Sequence, residues 1–114
     1  MADAEAQEDL TPEQVKELVD GGALLVDVRE NYEHEAGHIA GSRHVVFSDL
    51  TAQAESIERD RPVVFYCRVG NRSAVATQAF KAAGYDARNL AGGLVAWDER
   101  GLPLEPEDGK VADH

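Results

Sequence analysis

The run Pro62-Val63-Val64-Phe65-Tyr66 constrains this chain more than any other stretch, because it is apolar without alternation. A half-exposed strand alternates apolar and polar residues. A run with no polar face belongs between two layers, as in a parallel sheet covered by helices. Ala23-Leu24-Leu25-Val26-Asp27-Val28 repeats the pattern, and His44 to Phe47 and Tyr85 to Leu90 read as two more strands. Helical stretches lie between them. Thr11 can cap a helix that starts at Pro12, with Gln14 reaching back as a capping box and Gly21-Gly22 ending it. Ser48 to Arg59 is polar with helical spacing. Ser73 opens a helix to about Ala83, packing through Val75, Ala76, Ala79, Phe80 and Ala83 and stopped by Gly84. Leu94 to Arg100 is a short one after the Gly92-Gly93 turn. Arg29 to Glu35 reads only as a charged stretch, and residues 37–42 as a loop. Strands alternating with helices predict an α/β fold with a parallel sheet.

At 114 residues the chain fits one domain. Its expected limits are 10–104, between a flexible acidic segment 1–9 and a flexible polar tail 105–114. No run of about 18 apolar residues exists, so no membrane span is expected. Residues 1–9 lack the basic-then-apolar order of a secretory signal, which makes the cytoplasm the expected location. With 22 acidic against 11 basic residues the net charge is −11, which excludes nucleic acid as a partner. The acidic, lysine-poor surface serves solubility and also suits high salt. A single cysteine, Cys67, excludes an internal disulfide and a cysteine-rich zinc site, so neither metal nor cofactor is expected. A lone functional thiol belongs in a reducing compartment.

Cys67 directly follows the clearest strand and leads through Arg68, Val69, Gly70, Asn71 and Arg72 to Ser73 at a helix start. In open α/β sheets ligands bind beyond the carboxyl ends of strands. A thiol attacks as its thiolate, and this junction offers three ways to favour the anion. They are a helix N-terminus, the Arg68 and Arg72 guanidinium groups, and a backbone that Gly70 lets curl into a nest of N–H groups. Taken singly, each has a bland reading: a small buried hydrophobe, a turn, solvated arginines. Their coincidence in seven residues favours a site. With no second cysteine, a dithiol mechanism has no resolving partner. Covalent carriage of sulfur in two half-reactions needs none.

Four stretches in order resemble the rhodanese family from about Leu10 to Pro103. They are Leu25-Val26-Asp27-Val28-Arg29-Glu30, then Gly37-His38-Ile39-Ala40-Gly41-Ser42, then Cys67 to Ser73. The last is Leu90-Ala91-Gly92-Gly93-Leu94-Val95-Ala96-Trp97 with Gly101-Leu102-Pro103. The resemblance implies a rhodanese-like fold with a five-stranded parallel sheet flanked by helices. It also implies a sulfurtransferase with Cys67 as the persulfide carrier and Arg68 to Ser73 as the substrate-binding loop. The implied donor is a small thiosulfate-like anion or a protein persulfide; the acceptor is cyanide, a thiol or a protein. Two alternatives stand beside this reading. One is a non-catalytic binding module, which usually lacks the cysteine. The other is a phosphatase or arsenate reductase of related fold, whose loops follow Cys-x5-Arg, whereas here Arg72 comes one residue earlier. Asp27, Arg29 and Glu33 are expected to brace the sheet's active-site end by ion pairs, His38 to fix a loop, and Trp97 to anchor packing.

Overall fold

The structure, a computed structural model, describes residues 8–112. Five parallel strands form one sheet in the order β1-β5-β4-β2-β3: β1 (Asp9–Leu10), β2 (Leu24–Asp27), β3 (Arg43–His44), β4 (Val63–Tyr66) and β5 (Ala87–Leu90). Four helices join them: α1 (Pro12–Asp20), α2 (Asn31–Ala36), α3 (Asn71–Ala82) and α4 (Gly93–Glu99). The α/β class is as the strand pattern predicts, and the five-stranded parallel sheet as the family resemblance implies.

The unbroken apolar run of β4 puts it at the centre, between β2 and β5, with all four residues buried. Its side chains alternate between two cores. Val63 and Phe65 join Val26, Val45, Leu50, Ile57, Ala76, Phe80 and Tyr85 on one face, where α3 packs. Val64 and Tyr66 join Leu10, Val15, Leu25, Ile39, Leu94 and Trp97 on the other, where α1 and α4 pack. Phe80 sits between Phe65 and Tyr85 at ring-centroid distances of 4.9 and 4.8 Å. Each such buried ring contributes about 1.5–3 kcal/mol of transfer free energy.

The capping box of α1 forms as expected. The Thr11 hydroxyl accepts from the Gln14 amide, and the Gln14 side chain accepts from the Thr11 amide. Other elements depart from the sequence reading. Asp9 is part of β1, paired with Asn89, rather than a frayed end; residues 1–7 lie outside the described residues. Glu30 to Ala36 carries a short helix, α2, within the stretch read only as charged. Ser48 to Arg59 is no continuous helix but two single 3-10 turns, Phe47–Asp49 and Ala54–Ser56. Its carbonyls are taken by side chains instead: Ala54 and Ile57 accept from the Tyr85 hydroxyl, and Ser56 from Arg43. Leu50 and Ile57 are still buried, so the apolar spacing is met without a helix. Finally, residues 105–112, in the segment expected as a flexible tail, make main-chain hydrogen bonds to the domain. Glu105 exchanges both backbone bonds with His38, at 2.7 and 2.9 Å, and the Lys110 amide donates to the Ala36 carbonyl.

Candidate active site

The chain leaves β4 at its carboxyl end and turns into α3 within four residues. Gly70 makes that turn possible: its φ of 103° lies in the left-handed region that side chains avoid. α3 therefore begins at Asn71, two residues before the expected Ser73. Residues 71–73 form its first turn, where backbone N–H groups have no partner inside the helix. The Ser73 amide among them faces the sulfur, joined by the Gly70 amide just before the helix. The Cys67 Sγ accepts from the Gly70 amide at 3.1 Å, the Ser73 amide at 3.5 Å and the Ser73 hydroxyl at 3.4 Å. Thr77 Oγ1 donates to the Ser73 carbonyl, which fixes the turn from below.

The loop is held from its outer side as well. The Cys67 carbonyl accepts from the Leu94 amide at 2.9 Å and the Arg68 carbonyl from the Val95 amide at 3.0 Å, both in the first turn of α4. With its carbonyls turned to α4, the loop presents amides to the sulfur. Gly93 is where the two segments touch. A Cβ there would lie 2.5 Å from the Cys67 and Arg68 carbonyl oxygens. Sequence alone predicts a turn at Gly92-Gly93; the role of Gly93 as the seat of the loop depends on a contact across about 25 residues.

The other loop residues divide. Arg68 directs its Nε to the Ala112 carbonyl at 3.1 Å. Val69 is exposed at the tip, and Asn71 is exposed in the first turn of α3. Arg72 is half-buried and clasps Glu33 of α2 through two nitrogens, 3.0 Å to Oε1 and 3.2 Å to Oε2. Glu33 is fully buried and its Oε1 also accepts from the Glu30 amide. So Glu33 forms an ion pair at the carboxyl end of the sheet, with the loop arginine as its partner. Its hydrogen bond is the main reason that the Arg72 guanidinium holds its proton even more firmly than an ordinary arginine.

Beneath α2 lies a buried polar cluster. Asp27 holds Arg29 in a two-pronged pair, with Nε at 2.9 Å and Nη2 at 2.7 Å, and Arg29 Nη2 also reaches the Gly37 carbonyl. His34 Nδ1 donates to the same Asp27 carboxylate at 2.8 Å. The rings of His38 and His44 stack on either side of His34, centroids 3.9 and 4.3 Å away. His38 Nδ1 donates to the His34 carbonyl and His44 Nε2 to the Arg29 carbonyl, so these rings hold the loop around residues 37–42. Burial alone would raise the Asp27 pKa, but the hydrogen bonds and charge of Arg29, with His34, outweigh it and hold it below the usual range. Burial lowers the pKa of His34, against the opposing pull of Asp27. Tyr66 closes the cluster: its hydroxyl accepts from the Ile39 amide and pairs with the Ser42 hydroxyl. Trp97 packs in the core with its Nε1 donating to the Pro103 carbonyl. Among the described residues no three His, Cys, Asp or Glu side chains are arranged to hold a metal ion, and no helix is long and apolar enough to cross a membrane.

Residues 11–100 match the family model of the rhodanese-like domain. A thiosulfate sulfurtransferase GlpE of Pseudomonas aeruginosa is 36% identical over 89 residues, which are 77% of this chain and 81% of that protein. A probable adenylyltransferase/sulfurtransferase MoeZ of Mycobacterium tuberculosis is 37% identical over 100 residues, 82% of this chain but 25% of that longer protein. Among solved structures, a rhodanese-related protein of Thermoplasma volcanium superposes with a TM-score of 0.81 at 30% identity, covering 85% of this chain and 96% of that one.

Proposed function

The chain belongs to the rhodanese-like domain family, and from that premise we propose that it is a sulfurtransferase whose Cys67 carries the transferred sulfur as a persulfide. The observation that carries this reading is the convergence of the Gly70 amide, the Ser73 amide and the Ser73 hydroxyl on one sulfur atom. Preorganised donors aimed at a sulfur favour negative charge on it, both as thiolate and as persulfide anion.

In the first half-reaction the Cys67 thiolate attacks the outer sulfur of a donor. For a thiosulfate-like anion, the donor's S–S bond breaks, sulfite leaves with the electron pair, and the enzyme keeps Cys67–S–S⁻. In the second, a nucleophilic acceptor such as cyanide, a thiol or a protein attacks the outer sulfur and restores the Cys67 thiolate. No proton need be removed by a base in either step once the thiolate exists. Arg68, Val69, Gly70, Asn71, Arg72 and Ser73 form the loop that receives the donor. A reducing cytoplasm is the setting in which a lone thiol of this kind stays usable.

Intact-mass spectrometry after incubation with a sulfane donor tests the proposal. A gain of about 32 Da, one sulfur atom as in a persulfide, is expected. The gain reverses on addition of cyanide and is absent in Cys67→Ser. A folded protein that gains no mass from any sulfane donor, or that releases phosphate from a phosphomonoester without forming thiocyanate, overturns it.

A further inference from the structure

We propose that Glu33 sets the donor class of this site: it cancels the Arg72 charge, disfavours the thiosulfate dianion, and leaves the alkyl persulfide group, R–S–SH, as the preferred source of sulfur. This rests on the sulfur-transfer reading above and departs from the donor in the name of the Pseudomonas relative.

The charges around the sulfur carry the argument. Arg72 lies in the first turn of α3, one residue before the Ser73 donors to the sulfur, and feels the charge of Cys67. Two of its nitrogens are engaged by one carboxylate, that of Glu33, at 3.0 and 3.2 Å. That carboxylate is 1% exposed, so water does little to screen it. It accepts a third hydrogen bond, from the Glu30 amide. The Glu30 carboxylate also acts on Arg72 through space. The one guanidinium of Arg72 is thus set against two carboxylates, Glu33 in direct contact and Glu30 through space. Beyond them the chain carries a net −11.

Thiosulfate brings two negative charges to such a site and must leave sulfite with two. The alkyl persulfide brings one at most. In that reaction the Cys67 thiolate attacks the outer sulfur of R–S–SH and the R–S bond partner departs as R–S⁻ with the electron pair of the broken S–S bond. Cys67–S–SH forms, and its proton passes to water. What binds the persulfide's outer sulfur is the same set of amide and hydroxyl donors that holds the Cys67 Sγ, none of which depends on Arg72.

The experiment compares Cys67 loading by thiosulfate, by free cysteine persulfide and by the same group on a neutral peptide, in the wild type and in Glu33→Gln. The variant keeps one amide oxygen for the Glu30 amide and one Arg72 nitrogen, and removes the charge together with the second acceptor for Arg72. In the wild type either persulfide should load Cys67 with a higher kcat/KM than thiosulfate, the faster of the two telling a free from a peptide-borne source. In Glu33→Gln the kcat/KM for thiosulfate should rise on the order of tenfold, while that for the persulfides stays within about twofold. Equal changes for all three donors would overturn the proposal, since a purely structural role for Glu33 moves them together. Should Glu33→Gln fail to fold, Glu30→Gln at its exposed position decides: it must shift thiosulfate loading upward alone, by a smaller factor. Loading by none of the donors in the wild type would instead remove the sulfurtransferase reading itself.

Discussion

At the scale of single residues, the contiguity of the site decides what could be read in advance. Cys67, Gly70 and Ser73 lie within seven residues, so their convergence on the sulfur follows from a strand, a left-handed glycine and a helix start, all visible in sequence. The partners that come from afar were not visible. Glu33 meets Arg72 across 39 residues, and Gly93 meets the carbonyls of Cys67 and Arg68 across about 25. A charge pattern shows that a carboxylate is near a loop in sequence; it does not say which arginine it will find. Gly93 gives a direct test. Its φ is 61°, and any Cβ would sit 2.5 Å from two carbonyl oxygens. Gly93→Ala should therefore cost about 3 kcal/mol in urea unfolding and depress sulfur loading as well, because the loop must move to relieve the contact. Gly22→Ala, also at positive φ but with open space around its Cβ, should cost less and leave loading unchanged.

At the scale of elements, the long apolar runs were legible and the short polar ones were not. β2 and β4 declare themselves because both their faces are buried. α2 does not, because the residues it turns inward are Glu33 and His34. Apolar periodicity is blind to a helix whose inner face is polar and satisfied by Arg72 and Asp27. The same polar interior makes the β2–α2 region sensitive to acid. Asp27 has a lowered pKa in the folded state, so the stability it contributes is full above the carboxylate's unfolded value, near 4, and drains away as pH falls through the folded value. His34 is also lowered, which means that the unfolded chain takes up a proton first; stability begins to fall as pH drops below about 6.5. Both slopes have the same sign. Urea midpoints measured between pH 7.5 and pH 3.5 should decline in two stages. His34→Gln should flatten the upper stage and keep the lower one.

At the scale of the whole molecule, charge and the C-terminal segment govern behaviour. A net charge of −11 on 114 residues repels itself, and salt relieves that repulsion. The thermal midpoint should rise as sodium chloride goes from about 10 mM to 1 M; a midpoint indifferent to salt would remove the case for a high-salt adaptation. Residues 105–112 are mostly polar, and their one branched aliphatic residue, Val111, gives little reason in composition for them to dock. They dock through backbone bonds to Ala36 and His38, through the Ala112 carbonyl that receives Arg68, and through the side chain of Val111, which packs against the core. Main-chain pairing of this kind leaves no trace in side-chain pattern, and so the segment reads as a tail. The two outermost strands, β1 and β3, are two residues long each. A margin that short offers a neighbouring molecule almost no ladder to extend, so crowding this protein to high concentration should not seed fibrils by strand addition, and whatever assemblies it enters must be built from its helices and loops.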